Sequence, residues 1–182
     1  MKRCRWVNLS NQKYVDYHDH EWGVPKYDDR ELFELLILEM FQAGLSWECI
    51  LNKRDSFRDY FDDFDYKKIS KYDDNKIGEL LNNRDIIRNK LKIKATINNA
   101  NIFMKIQEEF GNFSKYIWSF TNNQIIYNNG LVIKNELSDK ISDDLKSRGM
   151  KFVGSIIIYS YLQAIGIIND HEEICDFKGG IL

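Results

Sequence analysis

The sequence predicts an all-α protein. The chain of 182 residues contains one proline and 10 glycines, so few positions would interrupt a helix. Apolar residues recur at intervals of three and four along several segments, and Asp, Ser or Asn often stands where such a segment begins, as at helix N-termini. No repeat or flexible linker divides the chain, so we expect residues 1–182 to form one domain of two closely packed helical lobes.

The first predicted helix follows Asp28 and Glu31, which have the spacing of a capping box. It extends through the segment 32–41, which is too apolar to have much surface facing water. Ser46 is predicted to cap a second helix over 47–61, where apolar positions continue with helical spacing. We therefore expect both helices to contribute to the core.

Further helices are predicted in the middle of the chain. Short ones follow Asp65 and Asp74, and a long one covers about 85–110, where apolar side chains recur with helical spacing. Gly111 is its expected end. Ser114 is predicted to cap a short helix that ends near residue 118.

The Asn-rich segment 121–130 is predicted to be a loop. Segments 124–127 and 131–133 also fit a small β-hairpin around Asn128, Asn129 and Gly130, and this hairpin is the alternative.

A helix, a tight turn and a second helix are predicted nearer the C-terminal end. The first helix covers 138–148, the turn covers 149–154 with a glycine at each end, and the second helix begins at Ser155. Such a turn exposes backbone N–H groups that can bind phosphate oxygens, and Lys151 adds a positive charge beside them. The pattern indicates contact with a DNA backbone; a simple corner between two helices is the alternative.

The composition excludes several classes of protein. With 43% hydrophobic residues the chain can bury a sizeable core. No apolar run approaches the length of a membrane span, and the first residues, MKRCRWVNLSN, lack the apolar core of an export signal. Three cysteines, an odd number, argue against a disulfide framework and for a cytoplasmic location. Of these, Cys49 is predicted to lie in the core.

The formal net charge of −2 lacks the basic excess that is usual in nucleic-acid-binding proteins. The positive charges are nevertheless grouped in two stretches. These stretches contain Arg84, Arg88, Lys90, Lys92 and Lys94, and Lys146, Arg148 and Lys151. Either could be a solvated helix face, but their position beside the predicted turn favours a role in phosphate binding.

Residues that can bind a metal lie at the two ends of the chain. Cys4 and His18 are near the start, and His171 and Cys175 are near the end. Two thiolates and two imidazoles make a tetrahedral zinc set, and the i, i+4 spacing of the second pair places both side chains on one face of a helical turn. Four protein ligands leave no open position, so such a metal would be structural. His20 is an alternative to His18, and ordinary burial of these side chains is the alternative to any metal.

Glu39 stands near the end of the first predicted helix, among apolar neighbours. A carboxylate in such a place needs partners, or its pKa rises and it takes up a proton. Several aromatic residues lie nearby in the sequence, namely Trp6, Tyr14, Tyr17, Trp22 and Trp47. Indole and phenol rings around a carboxylate suit a flat, electron-poor ring that donates hydrogen bonds. A structural glutamate with a tyrosine or backbone partner is the alternative.

Several short segments, in order along the chain, carry a family resemblance. They are MKRCRWV (1–7), YHDHEWGVP (17–25), QAGLSW (42–47) and RGMKFVG (148–154), extended by Tyr159-Ser160, Gln163-Ala164 and Asn169-Asp170-His171. These segments resemble the signature blocks of the DNA-3-methyladenine glycosylase I family of base-excision repair enzymes. The resemblance covers residues 1–175. The chain departs from the family in having Met40 and Phe41 after the glutamate, where smaller or polar residues occur.

The resemblance implies a zinc site that joins the N- and C-terminal segments. Its ligands would be Cys4, His18, His171 and Cys175, which favours His18 over His20, with one structural Zn²⁺ in each chain. The resemblance also implies a base pocket in which Glu39 is the catalytic residue. The residues that would contact the base or form the nearby wall are Tyr17, Trp47, Trp6, Tyr14 and Trp22.

The family belongs to the helix-hairpin-helix superfamily, and the resemblance places the hairpin at 149–154. The residues that would contact DNA are Gly149, Lys151, Val153, Gly154 and Ser155. The family lacks the catalytic aspartate that most relatives have after the hairpin. Asp170 does follow the predicted hairpin helix, but because it precedes His171 we expect it to cap the last helical turn or to orient a zinc ligand; a direct catalytic role is the alternative.

The resemblance implies a monofunctional enzyme. It would flip 3-methyladenine out of double-stranded alkylated DNA and hydrolyse the N-glycosidic bond, which yields the free base and an abasic site. We expect a monomer without membrane association, in which the loop 42–46 fills the gap in the duplex. Two other functions remain open: a zinc-stapled helical module that binds DNA or protein without catalysis, and a hydrolase of soluble nucleosides.

Overall fold

The computed structural model describes residues 1–179 and consists mostly of helices. The helices are α1 (Gln12–His20), α2 (Asp29–Gln42), α3 (Trp47–Asn52), α4 (Arg54–Tyr60), α5 (Tyr66–Ile69), α6 (Asp74–Asn82), α7 (Lys90–Phe110), α8 (Phe113–Ser119), α9 (Glu136–Ser147) and α10 (Ser155–Ala164), with a 3₁₀ turn at Asp62–Phe64. The short strands β1 (Ile126–Tyr127) and β2 (Ile168–Asn169) complete the fold. None of the described helices is long and apolar enough to cross a membrane.

The helix α2 lies at the centre of the core. Every residue from 32 to 41 is buried, and the helix packs against α3, α7, α8 and α10. Asp28 caps it as predicted, because its side chain accepts hydrogen bonds from the amides of Arg30 and Glu31. Within the described residues Glu31 makes no return bond, and its carboxylate lies 3.8 Å from the Lys26 ammonium instead. A helix surrounded on all sides has no solvent face, so Glu39 is buried with its apolar neighbours.

The predicted helix over 47–61 is divided into α3 and α4. Ser46 caps α3 as predicted, with its Oγ accepting a bond of 3.2 Å from the Cys49 amide. The helix is interrupted at Lys53, whose backbone has φ −102° and ψ 0°. The Lys53 ammonium donates to the carbonyls of Arg84 and Asp85 at 3.3 and 3.2 Å. This contact joins segments that are distant in sequence, so no local sequence pattern predicts it.

Three helices begin at residues other than those predicted. In each case an asparagine is the N-cap: Asn89 for α7, Asn112 for α8 and Asn135 for α9. The predicted starts at Asp85, Ser114 and Ser138 were therefore wrong. Gly111, with φ +88°, does end α7 as predicted. The asparagine caps were not predicted because the chain is rich in Asn, and Asn is as common in loops as at the start of a helix.

The alternative hairpin over 124–133 is wrong. The strand β1 pairs in parallel with β2, so that Ile126 lies opposite Ile168. The Ile126 amide donates to the Ile167 carbonyl at 2.8 Å, and the Asn128 amide donates to the Asn169 carbonyl at 2.9 Å. Parallel partners are necessarily far apart in sequence. The pairing brings the loop after β1 beside the residues that follow β2.

Candidate functional site

A cavity of about 300 Å³ opens between α1, α2, α3, α10 and the loop after β1. Aromatic rings, carboxyl groups and a few apolar side chains share its surface. Its lining residues are Trp6, Tyr14, Tyr17, Trp22, Glu39, Gln42, Trp47, Gly130, Val132, Ile133, Ile156, Tyr159, Ser160, Gln163, Asp170 and Glu172. Glu39 and all the aromatic residues predicted to surround it are in this set. Residues separated by most of the chain thus meet in one cavity.

Glu39 is the unusual member of the cavity, because it is buried without a hydrogen-bond partner. Only 4% of its surface is exposed, and its Oε2 has no partner within the described residues. Burial raises the pKa of Glu39 to about 8, so this carboxyl group is mainly protonated at neutral pH unless a positive charge lies beside it. Burying a carboxyl group without a partner costs free energy. A ligand that donates hydrogen bonds to Glu39 or carries a positive charge would offset this cost.

Tyr17 and Trp47 lie beside the glutamate. Their ring centroids are 5.1 Å apart, with an angle of 48° between the planes. Trp47 is the first residue of α3, and its indole Nε1 also has no partner within the described residues. Burial and the nearby charge of Glu39 raise the pKa of Tyr17 well above its usual value. The cavity therefore offers two aromatic rings, an unpaired carboxyl group and an unpaired N–H to a flat polar ring.

The aromatic wall depends on α1, a helix that the sequence did not predict. Tyr14 and Tyr17 are three residues apart on α1 and share one face. The Trp6 ring lies 5.4 Å from Tyr14 and 4.9 Å from Trp22, centroid to centroid. Trp6 remains 37% exposed, so the wall extends to the surface there.

The two residues that depart from the family pattern do not shape this cavity. Met40 and Phe41 are fully buried, and the Phe41 ring packs against Phe57 at 4.8 Å. Neither residue lines the cavity. These two residues of α2 therefore affect the packing of the core and not the lining of the cavity.

Cys4, His18, His171 and Cys175 form one buried cluster, whose ligand atoms all lie within 4.8 Å of one another. The Cys4 sulfur is 3.5 Å from His171 Nδ1, and the Cys175 sulfur is 3.5 Å from His18 Nε2. A tetrahedral zinc ion with bonds of about 2.3 Å to sulfur and about 2.1 Å to nitrogen separates S from N by about 3.5 Å. The cluster therefore fits a metal ion with four protein ligands.

The structure selects His18 rather than His20 for this cluster. His20 is exposed, whereas His18 is 1% exposed and its Nδ1 lies 2.8 Å from the Asp19 carboxylate. Asp19 in turn is paired with Arg3 at 2.6 Å. A carboxylate on the second ring nitrogen fixes the orientation of a metal-ligating histidine. Cys49, predicted to be in the core, is only partly buried and lies outside the cluster.

The cluster supports the aromatic wall. The Trp22 ring, which lines the cavity, lies 4.6 Å from the His171 ring and 6.2 Å from the His18 ring. Trp6 is 5.3 Å from His18. A metal that holds these two histidines would therefore also hold two rings of the cavity in place.

The segment 171–175 is not helical and contains a turn at 173–174, so the predicted helical turn there is wrong, and Asp170 does not cap it. Asp170 instead accepts hydrogen bonds from the Gly130 amide at 2.5 Å, the Tyr159 hydroxyl at 2.9 Å and Gln163 Nε2 at 2.6 Å. It lines the cavity with Tyr159 and Gln163. None of these three residues was predicted to line the cavity, although all of them lie in the segments that extended the family resemblance.

The turn 149–154 lies between α9 and α10, as predicted, and is held by two asparagines of α7. Asn98 Nδ2 donates to the Gly149 carbonyl at 2.9 Å, and the Lys151 amide donates to Asn99 Oδ1 at 2.9 Å. The Lys151 amide is thus not free for another acceptor, but the Lys151 side chain is exposed. In the described part of the chain the amides of 153–155 donate to no protein acceptor; Val153 is buried, whereas Gly154 and Ser155 are partly exposed.

The two basic stretches do not form continuous patches. Lys92 is only 6% exposed and donates to the carbonyls of Phe41 and Ala43 at 2.9 and 2.7 Å. It therefore stabilises the end of α2 and cannot contact DNA. Burial of this side chain shows why a count of lysines along a helix overestimates its positive surface.

Arg148 is likewise occupied by protein groups. It pairs with Glu109 at 2.6 Å and with Asp144 at 2.7 Å. These bonds connect α9 to α7 and support the turn. Lys151 remains as the exposed cation of the turn itself.

Fold and site together define a helical protein with a carboxylate-containing aromatic pocket, beside a Cys/His cluster that joins the chain ends. Comparison with known proteins agrees with this class. The family model for methyladenine glycosylases matches residues 6–178. This chain therefore belongs to the methyladenine glycosylase family.

Its relatives match over their full length. The DNA-3-methyladenine glycosylase of Haemophilus influenzae is 40% identical over 181 residues, covering 97% of each chain. DNA-3-methyladenine glycosylase 1 of Escherichia coli is 39% identical over 180 residues, covering 96% of each. The structure of 3-methyladenine DNA glycosylase I from Staphylococcus aureus has a TM-score of 0.93 at 33% identity, covering 98% of this chain and 97% of that one. The family resemblance inferred from the sequence is confirmed.

Proposed function

We propose that this protein removes 3-methyladenine from alkylated double-stranded DNA by hydrolysing the N-glycosidic bond. The observation that carries the proposal is the buried, unpartnered carboxyl group of Glu39 in an aromatic cavity large enough for a purine. Family membership and full-length relatives named for this activity support it. A related structure that contains 3-methyladenine shows that this fold can hold the base.

The charge of the damaged base explains why such a cavity suffices for catalysis. Methylation at N3 gives the nucleotide base a fixed positive charge, so its bond to the sugar is weakened and the base leaves without protonation. The bonding electrons go to the departing neutral base, and water adds to the sugar cation at C1′ and loses a proton. The products are free 3-methyladenine and an abasic site.

Glu39 has the catalytic role in this proposal. The cationic base stabilises the carboxylate form, which in the empty cavity is disfavoured by burial. Trp47 stacks on the extruded ring, with a cation–π contribution of about 0.5 to 2 kcal/mol. Tyr17 provides a second polar contact, and a wall is formed by Trp6, Tyr14 and Trp22. Neutral adenine has neither the charge attraction to Glu39 nor the cation–π contact with Trp47, which accounts for the selectivity for the methylated base.

The enzyme is proposed to be monofunctional. Cleavage of the DNA strand through a Schiff base requires a lysine near C1′. The described lining of the cavity includes no lysine. The buried Lys92 and Lys26 donate to backbone carbonyls instead.

The Cys/His cluster is proposed to hold one structural Zn²⁺. Cys₂His₂ sets with all four positions taken by protein are typical of structural zinc. The ion would fix the ends of the chain together and leave no position for water or substrate. The chemistry is therefore assigned to the cavity. Because the cluster connects both ends of the chain, it also supports the proposal that residues 1–182 form one catalytic domain.

We propose that the turn 149–154 is the hairpin of a helix-hairpin-helix DNA contact. The donors would be the amides of 153–155, and the side chain of Lys151 would add a positive charge. Gly149 would allow the close turn, since its φ is +100°. The loop 42–46 is proposed to fill the gap in the duplex, because Gln42 lines the cavity and Leu45 is 41% exposed.

Lys151→Gln is expected to weaken binding to a methylated duplex and to make its salt dependence shallower. The slope of log K against log salt should fall in magnitude by about 0.9, the value for one lost phosphate contact. Fluorescence anisotropy at several salt concentrations measures this slope. Lys67→Gln, at an exposed lysine beside the acidic cap of α5, is the matched control and should leave the slope unchanged. Equal slopes for both variants would remove the turn from the DNA interface.

The direct test of the proposed function is release of base from DNA. Purified protein is incubated with methylated duplex, and the released base and the DNA product are identified by mass spectrometry. We expect free 3-methyladenine and intact strands with abasic sites, from a monomeric enzyme. Tight duplex binding without release would favour the binding module, and release from free nucleosides with no effect of salt would favour the nucleoside hydrolase.

A further inference from the structure

The loop after β1 presents exposed apolar side chains at the edge of the cavity. Leu131, Val132 and Ile133 are 76%, 46% and 67% exposed, and Ile156 on α10 is 53% exposed. We call these four residues the apolar rim. Val132, Ile133 and Ile156 line the cavity, whereas Leu131 does not. Neighbouring apolar side chains exposed at the mouth of a binding site mark an interaction surface.

The rim is held in place by the base of its loop. The Gly130 amide donates to Asp170 at 2.5 Å, and Asn128 Nδ2 donates to the Tyr159 hydroxyl at 3.0 Å. Gly130 has φ +74°, and a Cβ there would lie 3.4 Å from Glu172. Asp170 is therefore a positioning residue that fixes the loop against the cavity. The segment is built to present Leu131 outward.

One member of the rim, Ile156, lies between the cavity and the proposed phosphate-binding turn. Ile156 directly follows Ser155, which is the first residue of α10 after the turn, and it lines the cavity on its other side. A strand that enters the cavity with its extruded nucleotide and also contacts the amides of 153–155 therefore passes Ile156, and the other rim residues lie on the same cavity mouth or next to it in sequence. The segment 125–135 contains no acidic residue and one lysine, Lys134, so it does not repel phosphate.

We propose that the apolar rim binds the lesion-bearing DNA strand, with Leu131 packed against the sugar and base next to the extruded nucleotide. The inference rests on the proposed function and names a further part of its DNA interface. Extrusion distorts the strand beside the gap that the loop 42–46 is proposed to fill, and an apolar side chain packed on the neighbouring sugar and base edge lowers the cost of keeping the duplex open. The rim would thus act on the DNA and not on the damaged base.

The test uses Leu131→Ser and Leu131→Glu, because Leu131 does not touch the cavity. Affinity is measured for a duplex with a tetrahydrofuran abasic analogue and, separately, for free 3-methyladenine. We expect Leu131→Ser to weaken duplex binding about fivefold or more, the range for loss of one base contact. Leu131→Glu should weaken it further, most strongly at low salt, since it adds a charge that repels phosphate. Affinity for the free base should stay within about twofold of wild type in both variants.

Leu9→Ser is the matched control, because Leu9 is 68% exposed and lies away from the cavity. Wild-type protein that releases no base would refute the proposed function itself. If wild type releases base but both Leu131 variants bind duplex normally, the rim proposal is overturned. It is also overturned if base affinity falls as much as duplex affinity. A wild-type dimer that Leu131→Glu dissociates without loss of duplex affinity would assign the rim to a second copy.

Discussion

Glu39→Gln is expected to lower the release of 3-methyladenine by about 10- to 100-fold. The change keeps the shape of the side chain and removes its ability to become an anion. A hydrogen bond to a charged partner contributes about 1.5 to 3 kcal/mol, which corresponds to this range of rates. Release of adenine from unmethylated DNA, which gains nothing from the charge, should change less. The measurement is single-turnover release of both bases.

The matched control for this substitution is Glu31→Gln. Glu31 is on the same helix, but its side chain is 41% exposed and remote from the cavity. It should release 3-methyladenine at the wild-type rate. If Glu39→Gln also keeps the wild-type rate and the wild-type preference for the methylated base, the carboxylate has no part in catalysis.

Glu39→Gln should also change how stability depends on pH. The pKa of Glu39 is raised from 4.5 to about 8 in the folded protein. Between these values the unfolded chain releases a proton that the folded protein keeps, so stability present below pH 4.5 is lost as the pH rises through about 8. The glutamine variant does not titrate. We compare the free energy of unfolding of the variant with that of wild type. This difference should be more favourable to the variant at pH 9 than at pH 4 by roughly 2 to 5 kcal/mol. Urea unfolding at both pH values measures this. A difference independent of pH would mean that the pKa of Glu39 is the same in the folded and unfolded protein.

Cys4→Ser is expected to abolish metal binding and to lower the free energy of unfolding by about 5 kcal/mol. The cluster joins Cys4 to His171 across 167 positions, and a cross-link over a loop of this length removes about 5 kcal/mol of unfolded-chain entropy. Metal content by plasma mass spectrometry and unfolding in urea, with and without chelator, measure the two effects. Cys49→Ser, at the cysteine outside the cluster, should retain metal and most of its stability. Equal behaviour of the two variants would contradict a metal at the four-residue cluster.

The same variant separates a structural from a catalytic metal. Because all four cluster positions come from protein, folded Cys4→Ser should lose far less excision activity per molecule than stability. A moderate loss is expected, since Trp22 and Trp6 contact the two histidines. Complete loss of catalysis in a variant that is as stable as wild type would place the ion in the reaction.

Some of the site was readable from local sequence. Eight of the ten residues in the segment 32–41 are apolar and they occur on every side of the helix, so a buried α2 follows, and Glu39 is buried with it. Asp28, Ser46 and Gly111 mark helix ends because their chemistry acts within a few residues. Cysteine and histidine, the two residue types of the cluster, each occur only three times in this chain, so the four cluster residues were easy to recognise.

Other features depended on contacts between distant segments. Lys92 lies in a run of positive charge, yet it is buried because the carbonyls at the end of α2 meet it in the folded protein. Arg148 is neutralised by Glu109, which lies on another helix. Asp170 follows β2, and its partners come from α10 and from the loop after β1. The carbonyls that meet Lys92, the partner Glu109 of Arg148 and the Gly130 amide that meets Asp170 all lie at least 39 positions away in the sequence.

The sequence by itself determined the helical class, the buried glutamate with its aromatic company, the metal-binding set and the family. These depend on residue types and on periodicities within a few turns of helix, where hydrogen bonding and apolar burial act locally. Only the tertiary structure decided that β1 pairs with β2, that Lys92 is buried against the end of α2, and that Asp170 fixes the loop bearing Leu131. Those outcomes follow from packing and charge pairing across the whole chain, which bring together groups that no local pattern relates.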